Sequence, residues 1–151
     1  EVQNLGEWRQ AILEVCLSSE GISKAQDPVQ MYLQAFLDMK DRKELDVAAS
    51  IQHYEAEKHI GYADGDFLWL WHREVFARVV KYWSKLGIMF PLTVEKTNEH
   101  LDSAGLIRPC FEARGEGNKK LFVCKSSLPG RGRMLVLNEV LARRYLDNST
   151  N

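Results

Sequence analysis

The chain has 151 residues, 45% hydrophobic and 27% charged, with a net charge of −1. That size and mixture suit one soluble domain, or two very small ones, with a core that needs no cross-links. The longest apolar run, Phe67–Trp71, falls far short of the ~20 residues of a membrane span, and no basic start followed by an apolar stretch marks a signal peptide.

Leu5, Trp8, Ile12, Val15 and Cys16 share one face, which predicts a helix over Leu5–Leu17 that ends at Ser18-Ser19-Glu20-Gly21. Asp27-Pro28 is a strong helix start, an acidic cap with Pro at the first helical position. Met31, Leu33, Phe36 and Leu37, with Lys40, carry that helix until it fades near Lys43. The polar stretch Asp41–Lys58 leaves two readings open: Leu45–Ala49 as a short strand, and Ser50–Lys58 as a loop or helical turn. Ala63-Asp64-Gly65-Asp66 between Ile60-Gly61-Tyr62 and Phe67–Trp71 predicts an aromatic hairpin. Trp69 and Trp71 read first as core packing, with a base-stacking platform as the alternative.

His72–Leu86 is the clearest helix, with Val75, Phe76, Val79, Val80, Trp83 and Leu86 on its apolar face and Gly87 as its stop. A short linker leads to a second helix capped by Thr93, with Val94, Thr97, Leu101 and Ala104 at helical spacing and Gly105 as its end. Leu106-Ile107 then begin an extended run. After it come the basic, Gly-containing turn Arg114–Lys120, the alternating Leu121–Lys125, a second basic turn at Pro129–Arg133 and the strand Met134–Leu137. A final helix is expected over Glu139–Leu146. The order helix, linker, helix, strand, basic turn, strand is the layout of a winged helix.

The fold class expected is therefore α+β: a winged helix-turn-helix with an N-terminal helical segment and an aromatic β-hairpin. The boundaries expected are 1–58 for the helical segment, 59–146 for the winged helix and 147–151 for a disordered tail. Glu1 in place of Met reads as a piece of a longer polypeptide.

Charge is spread unevenly. Residues 1–105 hold 11 Lys and Arg against 17 Asp and Glu, net −6; residues 106–151 hold 9 against 4, net +5. A basic end on an acidic body suits local contact with phosphates and not the wrapping of nucleic acid. Arg108, Arg114, Lys119, Lys120, Arg131 and Arg133 are the expected phosphate contacts. Thr93, Lys96 and Asn98 are the expected contacts from the helix, although Glu95, Glu99 and Asp102 on the same helix oppose a duplex.

Signals for chemistry are weak. Gly130-Arg131-Gly132 lacks the spacing and following helix of a phosphate-cradling loop. His53, His59, His72 and His100 lie in no zinc-ligand pattern, and Asp64 and Asp66 read as turn formers. No catalytic residue, metal or other cofactor is expected. Cys16, Cys110 and Cys124 are odd in number and widely spaced, which fits free thiols in a reducing cytoplasm. Cys110 and Cys124 facing each other across a hairpin are expected as two buried small hydrophobes.

Over Ile60–Val140 the run Ile-Gly-Tyr-Ala-Asp-Gly-Asp-Phe-Leu-Trp-Leu, a helix, then Phe-Pro-Leu-Thr, Leu-Asp-Ser-Ala-Gly-Leu-Ile and Arg-Met-Leu-Val-Leu resembles the C-terminal winged-helix region of helicase and primase-helicase proteins of phages, plasmids and integrated mobile elements. The helix at Pro28–Lys43 resembles the segment that precedes this region there. Those motifs are structural and not catalytic, and accessory domains of conjugative relaxases are a neighbouring resemblance. The resemblance implies a non-catalytic DNA-binding accessory domain of a replication or transfer protein, with ATP hydrolysis elsewhere in the parent chain. The alternative is a protein-interaction module that docks through the acidic helix and the aromatic hairpin. A ligand-sensing domain is a third reading.

Overall fold

The computed structural model describes residues 27–115, 117–128 and 132–149, without the side chains of Arg114 and Ser149. The helix expected over 5–17, Cys16 and Arg131 lie outside the described residues. The architecture is α+β, with four helices and a mostly antiparallel sheet among the described residues.

Helix α1 (Pro28–Asp41) begins where Asp27 accepts a hydrogen bond from the Val29 N–H at 3.0 Å, while Pro28 has no N–H to leave unpaired. It ends before Lys43, which takes a left-handed φ of 65°. The expected Met31, Leu33, Phe36 and Leu37 are buried, and so are Val29, Tyr32, Ala35 and Met39. A helix buried on so much of its circumference must be covered from several sides. Three helices do this: α2 (His72–Ser84), α3 (Val94–Ser103) and α4 (Glu139–Ser149) all pack against α1. One apolar cluster runs from Val29 through Leu68, Val75, Leu101 and Leu135 to Ala142, so α1 shares its core with the rest of the domain.

The stretch after α1 supplies both readings left open by its sequence. Val47–Ala48 is a short strand, β1, and Ile51–His53 a single 3-10 turn. Strands β2 (Gly61–Asp64) and β3 (Phe67–Leu70) form the expected hairpin, with Gly65 at φ 64° in its turn. Gly61 is needed for a different reason: a Cβ there would fall inside the Trp69 carbonyl oxygen.

Helix α2 buries Val75, Val79 and Trp83. It stops at Gly87 (φ 78°), where the Ile88 N–H reaches back to the Trp83 carbonyl at 2.9 Å. Leu86, expected on the buried face, lies beyond the last helical turn and is 62% exposed.

The C-terminal third departs most from expectation. One short strand and one bridging stretch pair along one side of the central strand β7 (Arg133–Asn138), which meets β3 on its other side. Residues 106–108 cover one half of the free side, through the Ile107–Leu137 bridge and the Arg108 N–H to Val136 carbonyl bond of 2.9 Å. Strand β6 (Cys124–Lys125) covers the other half. Between them the chain leaves the sheet and returns, forming a separate two-stranded ribbon of β4 (Cys110–Arg114) and β5 (Gly117–Leu121). Leu121–Lys125 is therefore not one strand. It breaks at Phe122 and Val123, which turn in to pack on the core. The main sheet has the order β1-β2-β3-β7-β6, with β1 and β2 parallel and the other pairs antiparallel.

Cys110 and Cys124 are joined by a disulfide, with their Cα atoms 5.6 Å apart. This corrects the expectation of two unbonded thiols. Sequence spacing could not show that the chain leaves the sheet just before Cys110 and rejoins it at Cys124, which puts both residues at the neck of the ribbon. The last helix also runs on to Ser149, three residues into the segment expected to be a disordered tail.

Candidate nucleic-acid interface

Helix α3 is fixed at its start by Thr93, whose hydroxyl accepts from the Lys96 N–H at 3.2 Å. The Thr97 hydroxyl donates to the Thr93 carbonyl at 2.7 Å. Val94, Thr97, Asn98 and Leu101 face inward, which leaves Glu95, Lys96, Glu99 and His100 outside. Asn98 is 5% exposed, and its amide donates to His72 Nδ1 at 3.3 Å. The expectation that Asn98 reaches a duplex is thus corrected. Positions 94, 98 and 101 stack on one face of a helix, and here that face is the core. Burial holds the His72 imidazole below its ordinary pKa, the Arg73 charge adds to this, and Glu95 partly opposes it.

Several of the cations expected around α3 and the ribbon meet a partner. Lys96 pairs with Glu99 at 3.6 Å and Lys120 with Asp102 at 2.6 Å, while Glu95 is held by Arg73 at 3.1 Å. Arg133 pairs with Glu112 across the base of the ribbon. Lys119 is exposed and stands opposite Glu112 in the β4–β5 register. Arg108 is exposed and lays its guanidinium 5.3 Å from the Phe67 ring centroid and 5.2 Å from that of Trp69. Arg114 ends β4 beside the ribbon turn.

The ribbon brings Lys120 beside α3, and Lys120 on the α3-facing side shares that side with Phe111, which is 64% exposed. Exposed ion pairs of this kind add about 0–1 kcal/mol each. They cost little to open, but they leave the α3 surface close to neutral.

The aromatic hairpin has little free ring surface. Trp71 is 5% exposed and donates to the Tyr54 hydroxyl at 2.7 Å. Trp69 stacks on Tyr62, with centroids 5.9 Å apart and planes 6° from parallel, while Arg108 also lies against it. Its indole Nε1 is buried without a hydrogen-bond partner among the described residues.

A cleft of about 500 Å³ at the start of α2 is lined by Trp71, His72, Arg73, Glu74 and Arg133. A larger groove of about 680 Å³ lies between α1 and α2, and sequence reasoning passed it over. Arg78, Lys81 and Lys85 line it, each exposed, opposite Arg42. The signal was present in the sequence: residues 78, 81 and 85 recur at helical spacing on the side away from Val75, Val79 and Trp83. Net charge per segment hid it, because residues 1–105 are acidic as a whole.

No cluster of three or more His, Cys, Asp or Glu among the described residues could hold a metal ion, and no helix there is long and apolar enough to cross a membrane. Comparisons with protein-family models, with curated proteins and with solved structures find no match to this chain.

Proposed function

We propose that this domain is a winged helix that binds nucleic acid without catalysing a reaction, as an accessory part of a larger DNA replication or transfer protein of the helicase or primase-helicase type that its sequence resembles. The observation that carries this reading is one of topology. Strand β3, β7 and the 106–108 segment lie side by side in that order, α1, α2 and α3 pack on one another and share an apolar cluster with β3 and β7, and the β4–β5 ribbon leaves the sheet where this reading puts the wing. In this reading Lys96, Arg108, Arg114, Lys119, Lys120 and Arg133 contact phosphates, and Thr93 acts by holding the start of α3 in place. A cytoplasmic setting goes with it, and there the Cys110–Cys124 bond would be open to reduction.

The test is fluorescence anisotropy of labelled duplex and single-stranded DNA titrated in salt. Duplex binding should weaken steeply with salt. Lys119→Ala with Lys120→Ala should then flatten the slope of log K against log salt by roughly 1.8, the value for two phosphate contacts. Absence of binding to either DNA at low salt would sink the reading.

Two observations favour a protein-docking function instead. The charges on α3 are already matched, and apolar side chains flank the helix: Phe111 at 64% and Met89 at 88% exposed. Phe111→Ser would separate the readings, since it should spare salt-dependent DNA binding and abolish docking of a protein partner.

A further inference from the structure

The carboxylates and cations of this domain are not matched evenly. Around α3 and the ribbon, Lys96, Lys120, Arg73 and Arg133 each lie within ion-pair distance of a carboxylate. In the groove between α1 and α2 the balance is reversed. Its two carboxylates, Asp38 and Glu44, are both held by Arg42, at 2.9 Å and 3.3 Å, and Asp38 also accepts from the Tyr82 hydroxyl at 3.0 Å. Among the described residues, Arg78 hydrogen-bonds to the Glu44 backbone carbonyl, at 3.5 Å. Among the described residues, none of Arg78, Lys81 and Lys85 lies within ion-pair distance of a carboxylate.

From this juxtaposition we infer that the α1–α2 groove is a second, sequence-independent contact for the phosphodiester backbone of nucleic acid. The inference rests on the nucleic-acid reading above and adds a surface to it. The row from Arg78 to Lys85 spans about 10 Å at the helical rise of 1.5 Å per residue. One strand of a duplex places a phosphate every ~3.4 Å along its axis, so the row can meet two or three of them. Lysine is suited to this role, as a point charge that fixes position without reading a base. An acidic protein segment is the competing occupant. The groove offers it a poor anchor, because Leu86 at 62% exposure is the single large exposed hydrophobic there, whereas protein interfaces draw most of their energy from buried aromatic and apolar anchors.

The experiment compares the wild-type chain with Lys81→Ala/Lys85→Ala and with Lys81→Arg/Lys85→Arg. Each is titrated against a labelled duplex, a labelled single strand and labelled poly-L-glutamate, at 50–200 mM salt. Arg78 is kept because it touches the Glu44 carbonyl. The double Ala variant should melt at the wild-type temperature and bind the duplex at least tenfold more weakly at 50 mM salt. Its duplex slope of log K against log salt should be flatter by roughly 1.8, or by roughly 1.4 if the single strand is the ligand. The double Arg variant should restore both values. If the wild type binds DNA and the double Ala variant binds it equally well, the groove is not a phosphate contact, and the wing reading survives alone. If the wild type binds neither DNA, both readings fall. Binding of poly-L-glutamate alone, lost in the double Ala variant, would overturn the inference in favour of an acidic protein partner.

Discussion

The Cys110–Cys124 bond lies at the point where the chain leaves the sheet after residue 108 and returns to it, and its removal tests whether the ribbon belongs to the cooperative unit. The half-cystines are 14 residues apart. Cross-linking a loop of about 15 residues removes chain entropy from the unfolded state equivalent to ~3 kcal/mol at 25 °C. That full effect reaches global stability only if the ribbon is ordered with the body. Three further ties say that it is: Lys120 to Asp102, Glu112 to Arg133, and the packing of Phe122 and Val123 on the core. Cys110→Ser with Cys124→Ala removes the bond and keeps an apolar atom at position 124, where the native side chain is 2% exposed. Urea unfolding followed by tryptophan fluorescence should show a loss of about 3 kcal/mol, a midpoint lower by roughly 1.5–2 M at a slope near 1.5–2 kcal/mol per M. Wild-type protein in dithiothreitol should shift in the same direction, with two more alkylatable thiols than the untreated protein. An unchanged midpoint in both would refute the reasoning, because the ribbon would then be as free in the folded state as in the unfolded one.

Two further outcomes follow from the geometry. Gly61→Ala should destabilise the domain by about 1–3 kcal/mol in a thermal or urea melt, since its new methyl has the rigid Trp69 carbonyl in its way; a melt like that of wild type would mean that β2 and β3 can separate freely. His72 has its folded pKa below the ordinary 6.5, chiefly from burial, so the unfolded chain binds the proton more readily. Its contribution to stability is present above pH 6.5 and is lost as pH falls toward the folded value. His72→Asn should therefore flatten the fall in stability between pH 7.5 and 5.5, and superimposable pH profiles for the two proteins would contradict the assignment.

What could be read in the sequence was local. Asp27-Pro28, Thr93, Gly87 and Gly105 each act through bonds within a few residues, and the periodicities around them located the helices. The Asp64-Gly65 turn located the aromatic hairpin for the same reason. Pairings between distant residues were not legible: Lys120 with Asp102, Arg133 with Glu112, and the disulfide all depend on how the ribbon leaves the sheet. The single strand expected over Leu121–Lys125 is broken where Phe122 and Val123 pack on the core. The burial of Asn98 is different. Its spacing from Val94 and Leu101 places it on the inward face, whatever its polarity.

The seam between α1 and α4 constrains how this chain can be made. Arg143 holds Asp41 at 2.8 Å across 102 residues, Lys40 meets Glu139 at 3.1 Å, and Tyr145 donates to Asp27, the residue that also caps α1. On the ribosome, α1 emerges ahead of the helix that completes its cover. Until that helix follows, the nascent polypeptide carries an apolar helix with one wall missing. Chaperones that bind such surfaces therefore have a long window on this domain, and the window closes when Ala142 docks.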